Sequence, residues 1–208
     1  VIADVNASNA ERVLVEAEAA GSAGAIRYIK ADVAEEAQLE AAFDLALTAF
    51  GRVDCVFNNA GIGGAFGPIT ETRVEDWDAS LAVLLRGVFL GMKHGGRILK
   101  RQRDGGVIIS TTSIAGFAAG AGAHCYSAAK AAIINLTRSV AVEMAPFRVR
   151  VNAVAPGPLM TDLFHRGNIE AAERAILDRQ PWPEAGRAAD VAGVVAFLAS
   201  PDATFITG

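Results

Sequence analysis

Apolar residues in this chain come in short β-branched runs separated by longer stretches with helical periodicity. The runs are Val1–Ala3, Ala25–Ile29, Val53–Phe57, Val107–Ile109 and Val149–Val154. Helical patterns lie at about 9–20, 35–50, 74–101 and 126–145. A shorter one covers about 168–179, and a last one, opened by Asp190, runs to about Ser200. The runs are uniformly apolar rather than alternating, as in strands buried on both faces of a parallel sheet. Strands alternating with helices imply right-handed crossovers, and hence an α/β fold with a doubly wound parallel sheet. Residues 1–208 read as one such domain.

The helix from Tyr126 to Ala145 is apolar almost all round, from Ala128 and Ala129 through Ile133, Ile134 and Leu136 to Val142 and Met144. A helix without a polar face needs cover on every side, and a sheet supplies only one. The stretch with Leu81, Val83, Leu84, Val88, Phe89 and Leu90 has the same character. Helices 74–101 and 126–145 are therefore expected to build a homo-oligomer, a dimer or tetramer.

Hydrophobic residues make up 52% of the chain and charged residues 20%, enough apolar material for a large core. The net charge of −4 and the absence of a Lys/Arg face argue against nucleic-acid binding. Four cations between Arg97 and Arg103 read as the wet end of a helix. No apolar run reaches the ~18 residues of a membrane span, and no signal peptide is visible. Cys55 and Cys125 are expected to be buried free thiols in a reducing, cytoplasmic setting. The three histidines are too scattered for a metal site.

In parallel sheets of this kind a ligand sits beyond the carboxyl ends of the strands, and four clusters fall there. Ser113 follows the run Val107–Ile109, and Tyr126 and Lys130 lie four apart on one helix face. An ammonium ~4 Å from a phenol, at an effective dielectric of ~20, attracts the phenolate by about 4 kcal/mol. That would move a phenol from ~10 to roughly 7, a useful range for a general acid/base. Ser113 can donate to an oxygen where charge develops. Asn58-Asn-Ala-Gly61 follows Val53–Phe57 and offers small residues for close approach by a flat ligand, or simply a polar turn. Asp4, at the end of the first run, can accept from ribose hydroxyls and repel a 2′-phosphate by about 2–3 kcal/mol at ~5–8 Å; the lesser alternative is a helix-start acid. Pro156-Gly-Pro-Leu-Met-Thr161 builds a rigid turn that can present an amide and the Thr161 hydroxyl to a carboxamide, or is structural only. Taken singly, a Tyr-x-x-x-Lys is a common accident and a strand-end Ser is usually a cap.

Taken in order, the landmarks resemble the classical short-chain dehydrogenase/reductase family along essentially the whole chain. They are Asp4, Asp32-Val33, Asn58-Asn-Ala-Gly61, Ser113, Tyr126-Ser-Ala-Ala-Lys130, Asn152, Pro156-Gly157, Thr161 and Phe205-Ile-Thr-Gly208, with Ser113 preceding Tyr126 by 13 residues. The resemblance implies a Rossmann-like fold and hydride exchange between a nicotinamide cofactor, NAD rather than NADP, and an alcohol or ketone. Tyr126 would be the proton carrier, Ser113 would orient the carbonyl, and Lys130 would bind the nicotinamide ribose and lower the phenol's pKa. Asp4 would read the adenosine ribose, and Asp32 and Val33 would border the adenine. Asn59, Ala60 and Gly61 would line the ribose region, and Pro156, Gly157, Leu159 and Thr161 the nicotinamide, with Tyr126 also among the cofactor contacts. The cofactor carries the hydride chemistry and the protein supplies position and electrostatics.

Two departures stand out. Val83-Leu84-Leu85-Arg86-Gly87 puts Leu84 where most members carry an Asn that holds a water on the lysine. Reduced turnover follows, partly recoverable in Leu84→Asn. The family's Gly-rich turn, with its strand and helix, precedes the first run here, and a last strand would follow Gly208. The chain is thus expected to be truncated at both ends, to expose two strand edges, and to bind cofactor poorly by itself. The segment Leu163–Gly186, with Phe164, His165, Ile169, Ile176 and Trp182, and with Ile114 and Phe117, suggests an apolar substrate pocket or ordinary packing. The rival enzyme readings are a 3-oxoacyl-type reductase or a diol dehydrogenase. The rival outside enzymes is a silent dinucleotide-binding or scaffold protein.

Overall fold

The computed structural model describes residues 1–22 and 24–208. Its strands are β1 (Ile2–Asp4), β2 (Tyr28–Lys30), β3 (Cys55–Asn58), β4 (Gly106–Thr111) and β5 (Val149–Val154). The helices are α1 (Ala7–Ala19), α2 (Glu36–Phe50), α3 (Val74–Leu81), α4 (Gly87–Gln102), α5 (His124–Met144), α6 (Asp162–His165), α7 (Ile169–Leu177) and α8 (Ala188–Ala199). A π-turn at Ala82–Arg86 joins α3 to α4, so the single stretch expected at 74–101 is one rod with a widened turn in its middle. Among the described residues no helix is long and apolar enough to cross a membrane.

All strand pairs are parallel, in the orders β1-β2 and β3-β4-β5. Burial in the second sheet follows the two-residue period of a pleated strand. Ile108, Val149 and Val151 face a core with Val88, Met92, Leu99, Ile133 and Met144 from α4 and α5. Val107, Ile109 and Val154 face Leu198, Val191 and Val195 of α8. Both faces are covered, which is why these strands read as unbroken apolar runs.

The second strand starts three residues later than its pattern predicts. Gly24 at φ +78° and the Ala25 N–H bonded to the Ser22 carbonyl make a turn there. The Arg27 guanidinium donates to the Gly24 and Ile26 carbonyls, so pairing begins only at Tyr28. The last helix starts at Ala188, ahead of Asp190, whose carboxylate accepts from the Arg187 N–H at 2.7 Å.

The strands form two sheets, and β1 and β3 border a cleft of about 450 Å³ between them. One expectation about edges needs correcting. At the other side β5 is not bare, because the tail lies along it. Val151 N–H donates to Thr207 Oγ1 (3.0 Å), Gly208 N–H donates to the Val151 carbonyl (2.9 Å), and Asn152 Nδ2 donates to the Ile206 carbonyl (2.8 Å).

Cys55 is exposed rather than buried, since its strand borders the cleft; Cys125 is buried, and both are free. The stripe of α5 left open carries Asn135, Arg138, Ser139 and Glu143 beside Ala128, Ala131 and a 79% exposed Val142. That helix therefore has a narrow mixed face rather than none.

Candidate active site

The carboxyl ends of β3, β4 and β5 bring the expected catalytic residues to one place. The Lys130 side chain is almost fully enclosed, and its ammonium donates to the Thr111 carbonyl at the end of β4 (2.7 Å). The nitrogen lies 5.4 Å from the centre of the Tyr126 ring. Burial pulls the Lys130 pKa down to about 8. One carbonyl cannot satisfy three N–H donors, so this ammonium has capacity to spare for a ligand's hydroxyls.

Ser113 is buried at the start of a 3₁₀ turn (Ile114–Gly116), and its Oγ accepts from the Ala115 N–H at 3.2 Å. That bond uses a lone pair and leaves the hydroxyl proton free to donate outward. The turn lies directly on α5: Thr112 Oγ1 donates to the Lys130 carbonyl (2.6 Å), and a Cβ on Gly116 would meet the Lys130 carbonyl carbon and oxygen at 2.9 Å. Only a glycine allows that approach. Ile114 N–H donates to the Pro156 carbonyl (3.2 Å), which fastens the Pro156 turn to the serine turn.

A second group borders the cleft. Asp4, Val33, Asn59 and Ala60 line its lip, and the apolar floor comes from residues such as Val53, Val56 and Phe43. Asn59 Oδ1 accepts from Thr111 Oγ1 (2.8 Å), and Thr111 holds Lys130. The cleft and the catalytic group are thus one bonded chain across the strand ends. Gly61 sits over the wholly buried Leu84, whose side chain would contact a Cβ there at 3.8 Å.

Not every expected residue joins this arrangement. Asp32 stands outside the cleft lining; its carboxylate accepts from the Ala34 N–H in a local turn. One oxygen of Asp4 accepts from the Asn6 N–H (2.8 Å), so the helix-start role is real, and the other oxygen remains open. A Cβ on Gly157 would meet nothing within 4 Å, while Leu159 packs toward Gly186 and Thr161 hydrogen-bonds within its own turn. Of the expected substrate residues, Trp182, Phe117, Ile169 and Ile114 are open, whereas Ile176 is fully buried in ordinary packing.

Several contacts that organise the site have no sequence signal of their own. Asn58 Nδ2 donates to Ser110 Oγ (3.2 Å), and its amide fills the space over Gly91, where a Cβ would stand 1.9 Å from Oδ1. Ser80 and Cys125 together hold the Ala65 N–H. Away from the site, His94 on α4 gathers Glu36 and Glu40 of α2, with ligand atoms all within 4.8 Å. Reading the histidines alone misses these carboxylates. Lys93 pairs with the same Glu36 oxygen that faces His94, so the cluster is an ionic tie between the two helices.

A family model described as enoyl-(acyl carrier protein) reductase matches residues 1–208. Levodione reductase of Leifsonia aquatica is 36% identical over 183 residues, 85% of this chain and 68% of that protein. The chain belongs to the short-chain dehydrogenase/reductase family. Cyclohexanol dehydrogenase of an Acinetobacter strain is 36% identical over all of this chain and 80% of its own length. The crystal structure of levodione reductase superposes with a TM-score of 0.89 at 34% identity, covering 99% of this chain and 82% of that one. A 3-ketoacyl-(acyl-carrier-protein) reductase of Brucella melitensis, crystallised with NADH, gives 0.87 at 31% identity, with 99% and 82% covered. This short-chain dehydrogenase/reductase is an NAD(P)-dependent oxidoreductase of alcohol and carbonyl groups with a Rossmann-type fold.

Proposed function

We propose that Ser113, Tyr126 and Lys130 form the catalytic group and that the substrate is a secondary alcohol or its ketone. The observation that carries this is the enclosed Lys130 ammonium beneath the Tyr126 ring, at the strand ends beside the buried Ser113 hydroxyl. A nicotinamide fits these residues, since the spare donors of Lys130 suit a ribose diol and Asp4 and Asn59 stand at the carboxyl ends of β1 and β3. When bound, it supplies the hydride acceptor or donor.

The chain's own part is the proton. In oxidation the Tyr126 oxygen takes the alcohol's hydroxyl proton, and in reduction it returns a proton to the carbonyl oxygen. The Lys130 ammonium lies by the tyrosine ring, and Ser113 donates to the substrate oxygen as charge collects there. Asp4, with one free carboxylate oxygen, favours NAD over NADP. Asp32, Val33, Asn59, Ala60 and Gly61 would complete the adenosine and ribose contacts, and Pro156, Gly157, Leu159 and Thr161 the nicotinamide end. Relatives whose names include a dione reductase, a cyclohexanol dehydrogenase and a 3-oxoacyl-carrier reductase support a ketone or secondary alcohol without selecting one. The open stripe of α5, with Val142, supports assembly with further copies of the chain. A monomer by light scattering at micromolar concentration removes that part of the proposal.

In Tyr126→Phe, turnover of a panel of alcohols, followed by NADH absorbance, is expected to fall by at least a thousandfold, with NADH still bound by fluorescence titration. Retained turnover overturns the assignment of Tyr126.

A further inference from the structure

Residues 161–185 leave the sheet and return at one point, where the Met160 N–H donates to the Gly186 carbonyl (2.9 Å). Arg166 follows α6 inside this excursion, in a left-handed conformation (φ +47°). Its guanidinium lies 5.2 Å over the ring of Phe66, which belongs to the segment after β3. Ring and cation fold together over Gly63, where a Cβ would meet the ring at 3.0 Å and the guanidinium at 3.4 Å.

The platform under them is strapped to the start of α5. The Ala65 N–H donates to both Ser80 Oγ (3.1 Å) and Cys125 Sγ (3.2 Å), and the Cys125 thiol points back at the Ala65 carbonyl (3.6 Å). Gly64, at φ +77°, brings its Cα so close that a Cβ would stand 2.7 Å from Cys125 Sγ and 3.6 Å from the Tyr126 Cβ. A Cβ on Gly63 would reach Arg166 Nη2 and one on the adjacent Gly64 would reach Tyr126 Cβ, so Arg166 and Tyr126 flank the same two-glycine segment.

Its charge is uncommitted. Among the described residues no carboxylate is paired with Arg166, and Asp162, the acid one turn earlier, is engaged by His165 at 3.2 Å. Stacking occupies one face of the guanidinium and leaves its edge, a planar fork of N–H donors, free for a two-oxygen acceptor. We infer that Arg166 receives a carboxylate at the far end of the substrate, so that this site takes oxo acids or hydroxy acids: an apolar body with the reacting carbon at one end and the anion at the other. Phe66 and Gly63 hold the guanidinium in place, and the Ser80–Cys125 strap fixes its distance from Tyr126. This names a substrate class for the proposed dehydrogenase and rests on that reading.

The test is a series of oxo acids of increasing chain length, each beside its uncharged methyl ester, reduced by the enzyme with NADH. The readout is the ratio of kcat/KM for acid over ester. In the native protein the ratio is expected to exceed ten at one optimal length. In Arg166→Leu it falls to about one, in Arg166→Lys it is partly kept, and in Gly63→Ala, which displaces Phe66, it falls severalfold. A ratio separates charge recognition from any general loss of activity or folding. Calorimetry with the saturated fatty acid of optimal length reads the same contact without turnover, and its binding is expected to weaken about tenfold in Arg166→Leu. Equal handling of acid and ester by the native enzyme, or a ratio that Arg166→Leu leaves intact, overturns the inference. If no ketone is reduced at all, the dehydrogenase reading fails instead, and fatty-acid binding that is the same in native protein and Arg166→Leu then overturns this one as well.

Discussion

Replacing Lys130 by Met separates the cost of burying a charge from its use. The ammonium is enclosed, has one protein acceptor, and titrates at about 8 against an ordinary 10.5. A lysine whose pKa is lowered by folding binds fewer protons folded than unfolded between those two values, so stability rises with pH across that window. Below about pH 8 the folded protein carries the full penalty, about 3 kcal/mol from the difference in pKa. Met has nearly the same length and no charge, and its cost is the lost bond to Thr111, roughly 1–2 kcal/mol. At pH 7 the variant is therefore expected to be about 1–2 kcal/mol more stable than the native protein, a rise in Tm of about 2–8 °C for a chain of this size. Above pH 10.5 that advantage disappears, because the native lysine is then neutral. Urea denaturation of both proteins from pH 7 to 11 measures the difference directly, and other titrating groups cancel in it. Parallel curves would refute the reasoning, and so would a variant that is less stable at pH 7. Turnover in the same variant is expected to be lost, as a stabilised but inert protein.

Other expectations are as direct. Leu84→Asn should raise kcat severalfold, read under saturating cofactor, if the missing amide limits proton relay; no gain counts against that account. It should also lower stability by about 1–3 kcal/mol, because Leu84 is fully buried and packed on Gly61. Gly91→Ala puts a methyl 1.9 Å from Asn58 Oδ1, so the strand end must shift. A loss of about 2–3 kcal/mol is expected in denaturant unfolding, largely relieved by adding Asn58→Ala. The Glu36 carboxyl is held below its ordinary 4.5, by Lys93 first and His94 second. A lowered carboxylate contributes stability at neutral pH that is lost as acid protonates it. Thermal melts of Glu36→Gln should therefore converge on the native curve as pH falls below that value, and melts that stay apart would exclude the tie.

The alternation of runs and helical stretches was enough to place the parallel strands and most helices, because sheet strands covered on both faces leave no polar position to blur the pattern. Val149–Val154 matches its run residue for residue, with α5 on one side and α8 on the other. The misplaced strand at Ala25 has the same composition, but Gly24 and the Arg27 guanidinium turn its first residues away from pairing. Periodicity reports which residues prefer burial and is blind to a side chain that caps the backbone.

For the candidate site, what could be read were the groups proposed to react: a phenol, an amine and a hydroxyl at fixed spacing. What could not be read were the groups that hold them. Thr111 and Thr112 contribute a carbonyl and a hydroxyl to Lys130, roles that any strand-end residue of similar shape would advertise equally poorly. Gly91, Gly64 and Gly116 act by having no Cβ where Asn58, Cys125 and the Lys130 backbone pass. An absent atom has no signature in composition, and its meaning appears only with the neighbour that uses the space. The same holds for Arg166, an ordinary surface cation in the sequence. It becomes a candidate receptor only because Phe66, one hundred residues earlier in the chain, supplies the surface on which it lies.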